Sequence, residues 1–274
     1  MRVNTLITRK LTNLMTSMTI PFFKYQATGN DFVLMDNRAG KIKLNREQIC
    51  QICDRRFGIG ADGLMLLENH PELDFNLVYY NADGSQSLCG NGSRAAVQFA
   101  AHMGIIKEKT KFNAYDGLHE AIFLEKDWIK LEMNPVKNIQ ARGKDYFMNT
   151  GSPHLVRFVD NLQEFPVLAE GRKLRHHEDF APAGTNVNFV QILPGNALFV
   201  RTYERGVESE TLSCGTGVTA SALAASLKGL HSPLPVKTRG GELSVSFQTR
   251  QPGIFHLIYL SGPAKMVFEG QLEL

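Results

Sequence analysis

Two cysteines occupy the same place in two copies of one short pattern. Cys89 opens Cys-Gly-Asn-Gly and Cys214 opens Cys-Gly-Thr-Gly, and each pattern leads into a run of small and apolar residues that a glycine closes. Such a run predicts a buried helix with the cysteine at its N-terminus. Unpaired backbone N–H groups and the helix dipole stabilise a thiolate there, which predicts a lowered thiol pKa. Either cysteine could therefore act as a base.

The duplication indicates what two such thiols could do together. The glycines of the two patterns remove side chains where an anionic group would meet the backbone donors, so each copy is a candidate carboxylate site. One thiolate could remove a proton from a carbon while the other thiol delivers a proton to the opposite face. A single cysteine in such a pattern could simply be a small buried residue that packs near a helix end. Because the pattern occurs twice, we favour inversion chemistry by the pair over a packing role for each cysteine.

The elements around these patterns alternate between strands and helices. Turn residues between two apolar runs predict a strand, a turn and a strand over 22–36. Asn45 followed by Gln48 resembles a capping box, and the apolar spacing predicts a helix of about three turns that reaches Arg56. Further strands are predicted at 64–68, 75–81, 186–193, 198–204, 243–248 and 266–268.

These elements predict an α+β fold with two pseudo-symmetric halves. Each half is a mixed or antiparallel sheet wrapped around a central apolar helix, and the active site lies in the cleft between the halves. The first half comprises residues 18–133 plus 263–274 and the second comprises residues 134–262. Residues 1–17 form an extension of uncertain status, either a targeting segment or the product of a start codon upstream of the natural one, with the second interpretation favoured.

Composition narrows the function classes. The 274 residues are 43% apolar and 21% charged, and the net charge of +3 comes from 30 basic and 27 acidic side chains that are mixed along the chain. Without a clustered basic surface we expect no nucleic-acid partner, and without an apolar run of roughly 18 to 20 residues we expect no membrane partner. Four cysteines without a secretion signal predict reduced thiols and a cytoplasmic location.

Two other motifs are interpreted as structural. Residues 58–63 match the Gly-x-Gly-x-x-Gly pattern of dinucleotide binding, but a helix precedes them and a strand follows, which is the reverse of the required order. Cys50 and Cys53 form Cys-x-x-Cys on a predicted amphipathic helix. Because no second half-site for zinc exists, we interpret them as packing residues.

Eight motifs together make the chain resemble the diaminopimelate epimerase family. They are TGNDF at 28–32, RFGIGADG at 56–63, NADGS at 81–85, CGNG at 89–92, GSPH at 151–154, GTNVNF at 184–189, YERG at 203–206 and CGTG at 214–217. The resemblance implies that Cys89 and Cys214 are the two acid/base residues. It also implies action on LL- and meso-diaminopimelate without pyridoxal phosphate, metal or any other cofactor, in lysine and peptidoglycan-precursor biosynthesis.

The resemblance implies further site residues. His154 and Glu204 match residues near the sulfurs, where they could tune the thiol pKa values. Expected substrate contacts are Asn30, Asn81, Gly90, Asn91, Ser152, Asn186, Glu204, Arg205, Gly215 and Thr216. Ser152 stands where many relatives have Asn, Gly63 stands where some have Gln, and the spacings before both cysteines differ from the common pattern.

Several alternatives stay open at this point. A proline or hydroxyproline racemase would also use two cysteines, whereas phenazine-type isomerases of the same fold lack the pair. A non-catalytic amino-acid-binding protein and a regulatory disulfide between Cys89 and Cys214 are further possibilities, and a homodimer is possible. If both thiols react, the coupled pair predicts a bell-shaped dependence of rate on pH.

Overall fold

The computed structural model describes residues 19–87, 89–124 and 127–273, and the extension 1–17 lies outside them. The elements of the first half of the chain are β1 (Thr19–Ala27), β2 (Asn30–Asp36), α1 (Arg46–Cys53), β3 (Gly63–Glu68), β4 (Phe75–Asn81), α2 (Gly90–His102), β5 (Lys109–Ala114), β6 (Gly117–Phe123) and β7 (Trp128–Met133).

The second half of the chain contains a longer series of elements. They are β8 (Gln140–Arg142), β9 (Asp145–Asn149), β10 (Pro153–Phe158), α3 (Val167–Arg175), a 3₁₀ turn (Glu178–Phe180), β11 (Asn186–Leu193), β12 (Ala197–Glu204), β13 (Ser209–Thr211), α4 (Gly215–Ser226), β14 (Leu234–Thr238), β15 (Gly241–Gln251), β16 (Ile254–Pro263) and β17 (Lys265–Glu273).

The order of hydrogen-bonded strands is symmetric about its middle. It runs β17-β1-β2-β3-β4-β5-β6-β7-β16-β15-β14-β12-β11-β10-β9-β8, with β13 attached to β12. The pairs β2–β3 and β10–β11 are parallel, as are β4–β5 and β12–β14, while the other pairs along this order are antiparallel. Each parallel pair is joined through a helix, as a parallel connection requires. The two halves therefore share one topology and meet at β7 and β16.

Each half surrounds one helix. α2 contacts β1 to β4, β6, β7 and β17, and α4 contacts β9 to β12 and β14 to β16. The helices are rich in alanine, and side chains such as Ala96, Ala100, Ala220 and Ala224 are fully buried. Small side chains let strands approach a helix closely from several directions, since each side of the helix must be covered. The predicted α+β fold of two pseudo-symmetric halves is confirmed.

The first helix is shorter than the sequence predicts. The predicted capping box is present, because Asn45 accepts from the backbone N–H of Gln48 and the Gln48 side chain accepts from that of Asn45. However, α1 ends at Cys53 and does not reach Arg56. The Asp54 backbone is extended, and its carboxylate accepts from the N–H groups of Arg56 and Phe57. This local hydrogen bonding replaces a third helical turn.

The two structural motifs lie where the sequence places them. The glycine-rich residues 58–63 follow α1 and end at Gly63, the first residue of β3, so they connect a helix to a strand. Cys53 is buried beside Ile49 and Ile52, and Cys50 is half-buried. Within the described ranges no helix is long and apolar enough to cross a membrane.

The last strand returns to the start of the chain. β17 pairs with β1 in antiparallel fashion from Thr19↔Glu273 to Gln26↔Lys265, and β16 pairs with both β15 and β7. The predicted division into residues 18–133 plus 263–274 and residues 134–262 stays a prediction.

Candidate active site

Both cysteines cap the central helices of their halves. Cys89 is the N-cap residue of α2 and Cys214 is the N-cap residue of α4, and both have extended backbones. The Cys89 sulfur accepts from the backbone N–H of Gly92 at 3.4 Å. The sequence prediction that each thiol stands at a helix start is therefore correct, and backbone N–H donors converge beside both sulfurs.

Most of the glycines after the cysteines serve packing inside the protein. An added Cβ at Gly92 would lie 2.5 Å from Met65 Cε, and one at Gly215 would lie 2.8 Å from Leu260 Cδ2. A Cβ at Gly217 would overlap Asn188 Oδ1, whereas one at Gly90 would have no neighbour nearer than Leu260 Cδ2 at 4.0 Å. At three of the four positions neighbouring protein atoms therefore require glycine, and the expectation that the backbone N–H groups there meet an anionic group stays a prediction.

The two helix starts meet across the boundary between the halves. Leu260 on β16 lies beside both Gly90 and Gly215. Asn91 Nδ2 donates to the Ser213 carbonyl at 3.1 Å, immediately before Cys214, and also to Asn30 Oδ1. Glu204 lies close enough to both thiols to raise the pKa of each. One site can therefore present both cysteines.

Strand register identifies the equivalent residues around the two cysteines. In the first half Phe32 lies opposite Gly63 and Met65 opposite Tyr79, while in the second half His154 lies opposite Asn186 and Asn188 opposite Thr202. The glycine contacts agree, since Gly92 faces Met65 as Gly217 faces Asn188. Three apolar or aromatic residues on the Cys89 side thus correspond to three polar residues on the Cys214 side.

The polar side chains on the Cys214 side form a chain of hydrogen bonds that ends at the Cys214 sulfur. Asn188 Nδ2 donates to the Leu155 carbonyl and to His154 Nδ1 at 3.0 Å, and its Oδ1 accepts from the Thr202 hydroxyl. His154 therefore carries its proton on Nε2 and donates to Thr216 Oγ1 at 2.9 Å. The Thr216 hydroxyl is then free to donate to the Cys214 sulfur, 3.5 Å away.

Cys89 has an apolar environment with one buried cation. The small cavity beside Cys89 is lined mainly by apolar and aromatic side chains such as Met65, Leu77 and Tyr79, and also by Ser87 and Ser93. Arg94, on the next turn of α2, is fully buried and lowers the pKa of Cys89. The two thiols thus differ in what stabilises their charged forms, a hydroxyl for one and a guanidinium for the other.

Burial reverses the thiol pKa shift that the sequence predicts. It raises the pKa of Cys89 to about 11 and raises the pKa of Cys214 as well, and the charge of Glu204 adds to both increases. The N–H of Gly92 and the hydroxyl of Thr216 act in the opposite direction but are weaker. The expected lowered pKa values are therefore wrong, because loss of solvent disfavours a thiolate more than the helix start favours it.

The expected substrate-binding residues of the second half lie together. Asn186 Nδ2 donates to Ser152 Oγ at 2.8 Å, and its Oδ1 accepts from the backbone N–H of Arg205 at 2.8 Å. Glu204 Oε2 accepts from the Thr211 hydroxyl at 2.9 Å, and burial raises the pKa of Glu204. The serine at position 152 therefore still supplies a hydroxyl to this group.

The expected residues of the first half are held by an ionic network. Asn30 Nδ2 donates to Asp62 Oδ2 at 2.9 Å, and Arg55 bridges Asp62 and Asp31. Asn81 Nδ2 donates to the hydroxyls of Ser85 and Ser87, in the loop before Cys89. Asn30 and Asn91 use their side chains on each other and on protein partners, so backbone groups remain the donors at the start of α2.

Gly63 departs from the common family pattern for a steric reason. A Cβ there would lie 2.5 Å from both Tyr79 Cε2 and the Tyr80 carbonyl oxygen. The Tyr79 ring thus fills the space that a longer residue 63 would occupy.

Sequence reasoning missed four residues that contact the site. Asn188 donates to His154, Thr202 donates to Asn188, and Asp62 accepts from Asn30. Arg94 is the fourth, and its signal was a charge inside an otherwise small and apolar helix. The remaining three gave no local signal, because their roles depend on strand register.

Comparisons with known proteins agree on family and fold. The family model described as diaminopimelate epimerase matches residues 22–139 and 146–267. A diaminopimelate epimerase of Flavobacterium psychrophilum is 51% identical over 90% of this chain and 98% of its own length. That of Chlorobaculum tepidum is 43% identical over 90% and 98%, respectively.

Solved structures share the fold at low identity. A phenazine biosynthesis protein of the PhzF family from Bacillus anthracis has a TM-score of 0.72 at 14% identity, covering 93% of this chain and 99% of its own. A hydroxyproline epimerase from Agrobacterium vitis has a TM-score of 0.68 at 15% identity, covering 93% of each chain. Since the family match spans both halves and both cysteine motifs, the chain belongs to the diaminopimelate epimerase family.

Proposed function

We propose that this protein interconverts LL-2,6-diaminopimelate and meso-2,6-diaminopimelate without a cofactor, in lysine and peptidoglycan-precursor biosynthesis. The observation that carries the proposal is the meeting of two cysteine-capped helix starts at the boundary between equivalent halves. Family membership supports the substrate, since the relatives named above are diaminopimelate epimerases.

The reaction moves one proton off a carbon and another onto it. The thiolate of one cysteine takes the α-proton, so a C–H bond breaks and an S–H bond forms. The thiol of the other cysteine gives its proton to the opposite face, so its S–H bond breaks and a new C–H bond forms. Backbone N–H groups at the helix starts hold the α-carboxylate and stabilise the negative charge that develops on it.

Substrate binding must bring a positive charge that stabilises a thiolate. Burial keeps both thiols neutral near pH 7, since it raises the pKa of Cys89 to about 11 and also raises that of Cys214. The α-ammonium group of the substrate brings a positive charge next to the sulfurs and lowers the pKa of the thiol that acts as base. Glu204, which lies close to both thiols, supplies an acceptor for that α-ammonium group, and at the far end of the substrate Arg205 supplies donors for the second carboxylate.

Proton exchange in heavy water tests the proposal. The chain is incubated in D₂O with LL-diaminopimelate, and proton NMR follows loss of the α-proton signal and formation of the meso isomer. We expect the α-proton of diaminopimelate to exchange in the wild type. Turnover should be at least about a thousandfold slower in Cys89→Ala and in Cys214→Ala, because each variant loses either the base that removes the proton or the acid that delivers one. Cys50→Ala is the matched control and keeps full activity, since Cys50 is half-buried in α1.

Two outcomes would contradict the proposal separately. Full activity in either Cys89→Ala or Cys214→Ala would exclude the two-base mechanism. Exchange with proline or trans-4-hydroxy-L-proline and none with diaminopimelate would assign the substrate to the alternative class, of which the Agrobacterium vitis enzyme of the same fold is an example.

For the assembly, we propose a homodimer that forms along β17. Met266, Val267 and Phe268 are 45%, 57% and 46% exposed on this strand, which has β1 as its partner strand. A run of exposed apolar residues on an edge strand favours association with a second copy. Light scattering after gel filtration tests this: Val267→Glu should be monomeric, whereas Leu118→Glu, at the exposed Leu118 of β6, should keep the mass of the wild type. A monomeric wild type would exclude the dimer.

We also propose a cytoplasmic location. All four cysteines are unpaired, which is typical of a reducing compartment. Fractionation of producing cells followed by immunodetection tests the location, and recovery in a secreted fraction would contradict it.

A further inference from the structure

The buried guanidinium of Arg94 has no counter-ion in the described part of the chain. Arg94 is 0% exposed, and only its Nη2 has hydrogen-bond partners, Asn91 Oδ1 at 2.9 Å and Thr28 Oγ1 at 3.2 Å. Its Nε and Nη1 are buried without a partner among the described residues. Burial lowers the pKa of Arg94 only to about 10, so the group is charged at neutral pH. Burying a charge without a partner is costly, so the fold needs a compensating anion here.

The surroundings of Arg94 increase its positive potential. An added Cβ at Gly215 would lie 3.8 Å from Nη1 and one at Gly262 would lie 3.3 Å from Nε, so the guanidinium lies next to the start of α4. Arg94 itself belongs to α2, within two turns of the start of that helix. Two positive helix ends and one cation therefore converge with no carboxylate bound to the guanidinium in the described residues. Such a place favours an anion that forms during the reaction.

Arg94 also determines which way Asn91 faces. Because Asn91 Oδ1 accepts from Arg94, its Nδ2 points to the Ser213 carbonyl in the other half. The Thr28 hydroxyl accepts from Arg94 and donates to Ser213 Oγ at 3.1 Å. Thr28 is buried with φ of +48°, a conformation that β-branched residues rarely adopt. The guanidinium thus joins α2 to the segment that carries Cys214.

The repeat shows that this cation is not required by the fold of a half. Cys89 is followed five residues later by Arg94, and Cys214 is followed five residues later by Thr219, whose hydroxyl donates to the Gly215 carbonyl of its own helix. Both helices are buried in equivalent sheets. A neutral residue therefore satisfies the packing at this place, and the arginine serves the Cys89 site.

We propose that Arg94 is a positioning residue for the reaction and that its buried positive charge stabilises the thiolate of Cys89. This inference rests on the proposed two-thiol function. The other titratable groups that face Cys89 are Tyr79 on β4, Glu204 on β12 and Cys214 before α4. Of Arg94 and these three groups, only Arg94 is a cation. The Cys214 sulfur has the Thr216 hydroxyl as its neighbour instead.

The test measures the ionisation of Cys89 without any substrate. In a Cys214→Ala background, which removes the coupled thiol, the rate of Cys89 alkylation by iodoacetamide is followed by peptide mass spectrometry at a fixed pH near 8, where Arg94 is charged and the rate is proportional to the small thiolate fraction of Cys89. Arg94→Gln keeps a donor for Asn91 but loses the charge, so we expect its alkylation rate to fall about tenfold or more. Arg94→Lys keeps a charge and its rate should stay within about threefold of that of the Arg94 protein. Arg38→Gln, at a half-buried surface ion pair, is the matched control and should not change the rate.

The same variants separate a functional from a structural role. Removal of an unpaired buried charge should leave the melting temperature equal or higher, while the turnover of diaminopimelate falls at least tenfold in the Cys214-containing protein. An unchanged alkylation rate in Arg94→Gln, or a Gln variant that does not fold, overturns the inference. A slower alkylation of Cys89 in Arg94→Gln, in a protein that does not epimerise diaminopimelate, would support the role of Arg94 and contradict the proposed substrate.

Discussion

At the scale of single residues, the two thiols are equivalent by position and different in their neighbours. His154 and Phe32 occupy the same place in the two halves, but only His154 reaches a cysteine, through the Thr216 hydroxyl. Burial lowers the pKa of His154 to about 3, so its Nε2–H is a neutral donor. A neutral donor can orient the hydroxyl toward the sulfur without moving a proton to it.

Removing the Thr216 hydroxyl tests this connection. Thr216→Val leaves the His154 Nε2–H without its acceptor and the Cys214 thiolate without its donor, and we expect kcat to fall about tenfold to hundredfold. Thr219→Val on the same helix is the matched control, because that hydroxyl bonds only a helix carbonyl, and its kcat should stay within about twofold. Steady-state kinetics on both variants checks this, and equal kcat values would contradict the role of Thr216.

The neutral state of His154 also predicts a loss of stability in acid. The unfolded chain binds a proton at this side chain below about pH 6.5, whereas the folded chain does so only near 3. The stability is therefore fully present above pH 6.5 and falls as the pH decreases, by up to about 1.4 kcal/mol per pH unit from this group.

Urea unfolding between pH 7 and 5 measures this slope in a window above the carboxylate pKa values. His154→Gln should show a shallower decrease than the wild type by about that amount per unit. Parallel curves for the two proteins would mean that the pKa of His154 is the same in the folded and the unfolded chain, which would contradict the prediction.

At the scale of elements, close approach between strand and helix start fixes the site. Gly217 lets α4 lie against Asn188 on β11, as Gly92 lets α2 lie against Met65 on β3. The helix starts are thus positioned by contact with the strands and not by the caps alone. The sequence attributed these glycines to an anionic ligand, and the structure adds a second reason for three of them, which is close contact with a neighbouring strand.

A methyl group added at the start of α4 should therefore displace that helix from the strand it contacts. Gly217→Ala places its Cβ within overlap distance of Asn188 Oδ1, and we expect a destabilisation of about 1–3 kcal/mol together with a large loss of activity. Gly90→Ala is the matched control, with no atom nearer than 4.0 Å, and its melting temperature should equal that of the wild type. Thermal unfolding by circular dichroism checks both, and a Gly217→Ala protein of unchanged stability would refute the packing argument.

At the scale of the whole molecule, one buried side chain connects the halves at the site. Leu260 on β16 is fully buried and contacts the starts of both central helices. β16 in turn pairs with β7 of the first half, so the same strand joins the sheets and separates the helix ends. Movement of this strand would change the position of both cysteines.

Leu260→Ala and Leu198→Ala should lower stability by similar amounts but differ in their effect on activity. Loss of the buried side chain costs about 2–5 kcal/mol of unfolding free energy in either Leu260→Ala or Leu198→Ala, since both leucines are 0% exposed. Only Leu260→Ala should also lower kcat, at least tenfold, because only Leu260 lies between the helix starts. Denaturant unfolding and kinetics on the two variants check this, and equal kcat values would show that the helix starts do not depend on Leu260.

The sequence determined most of the elements and identified the two candidate cysteines. Turn residues, the Asn45 cap and apolar spacing are local properties, so β1, β2 and the start of α1 were predictable, as were the cysteines before α2 and α4. The motifs in family order determined the fold class and the family for the same reason, since each is readable without knowing what lies near it in space.

Only the tertiary structure decided how the thiols are supported. Whether a thiol pKa rises or falls depends on desolvation by residues from distant parts of the chain, and the sequence prediction for Cys89 and Cys214 had the wrong sign. The chain from Asn188 through His154 to Thr216, and the unpaired charge of Arg94, depend on strand register and on the contact between halves. Charge and hydrogen bonding act through space at a few ångströms, and folding sets those distances between residues far apart in sequence.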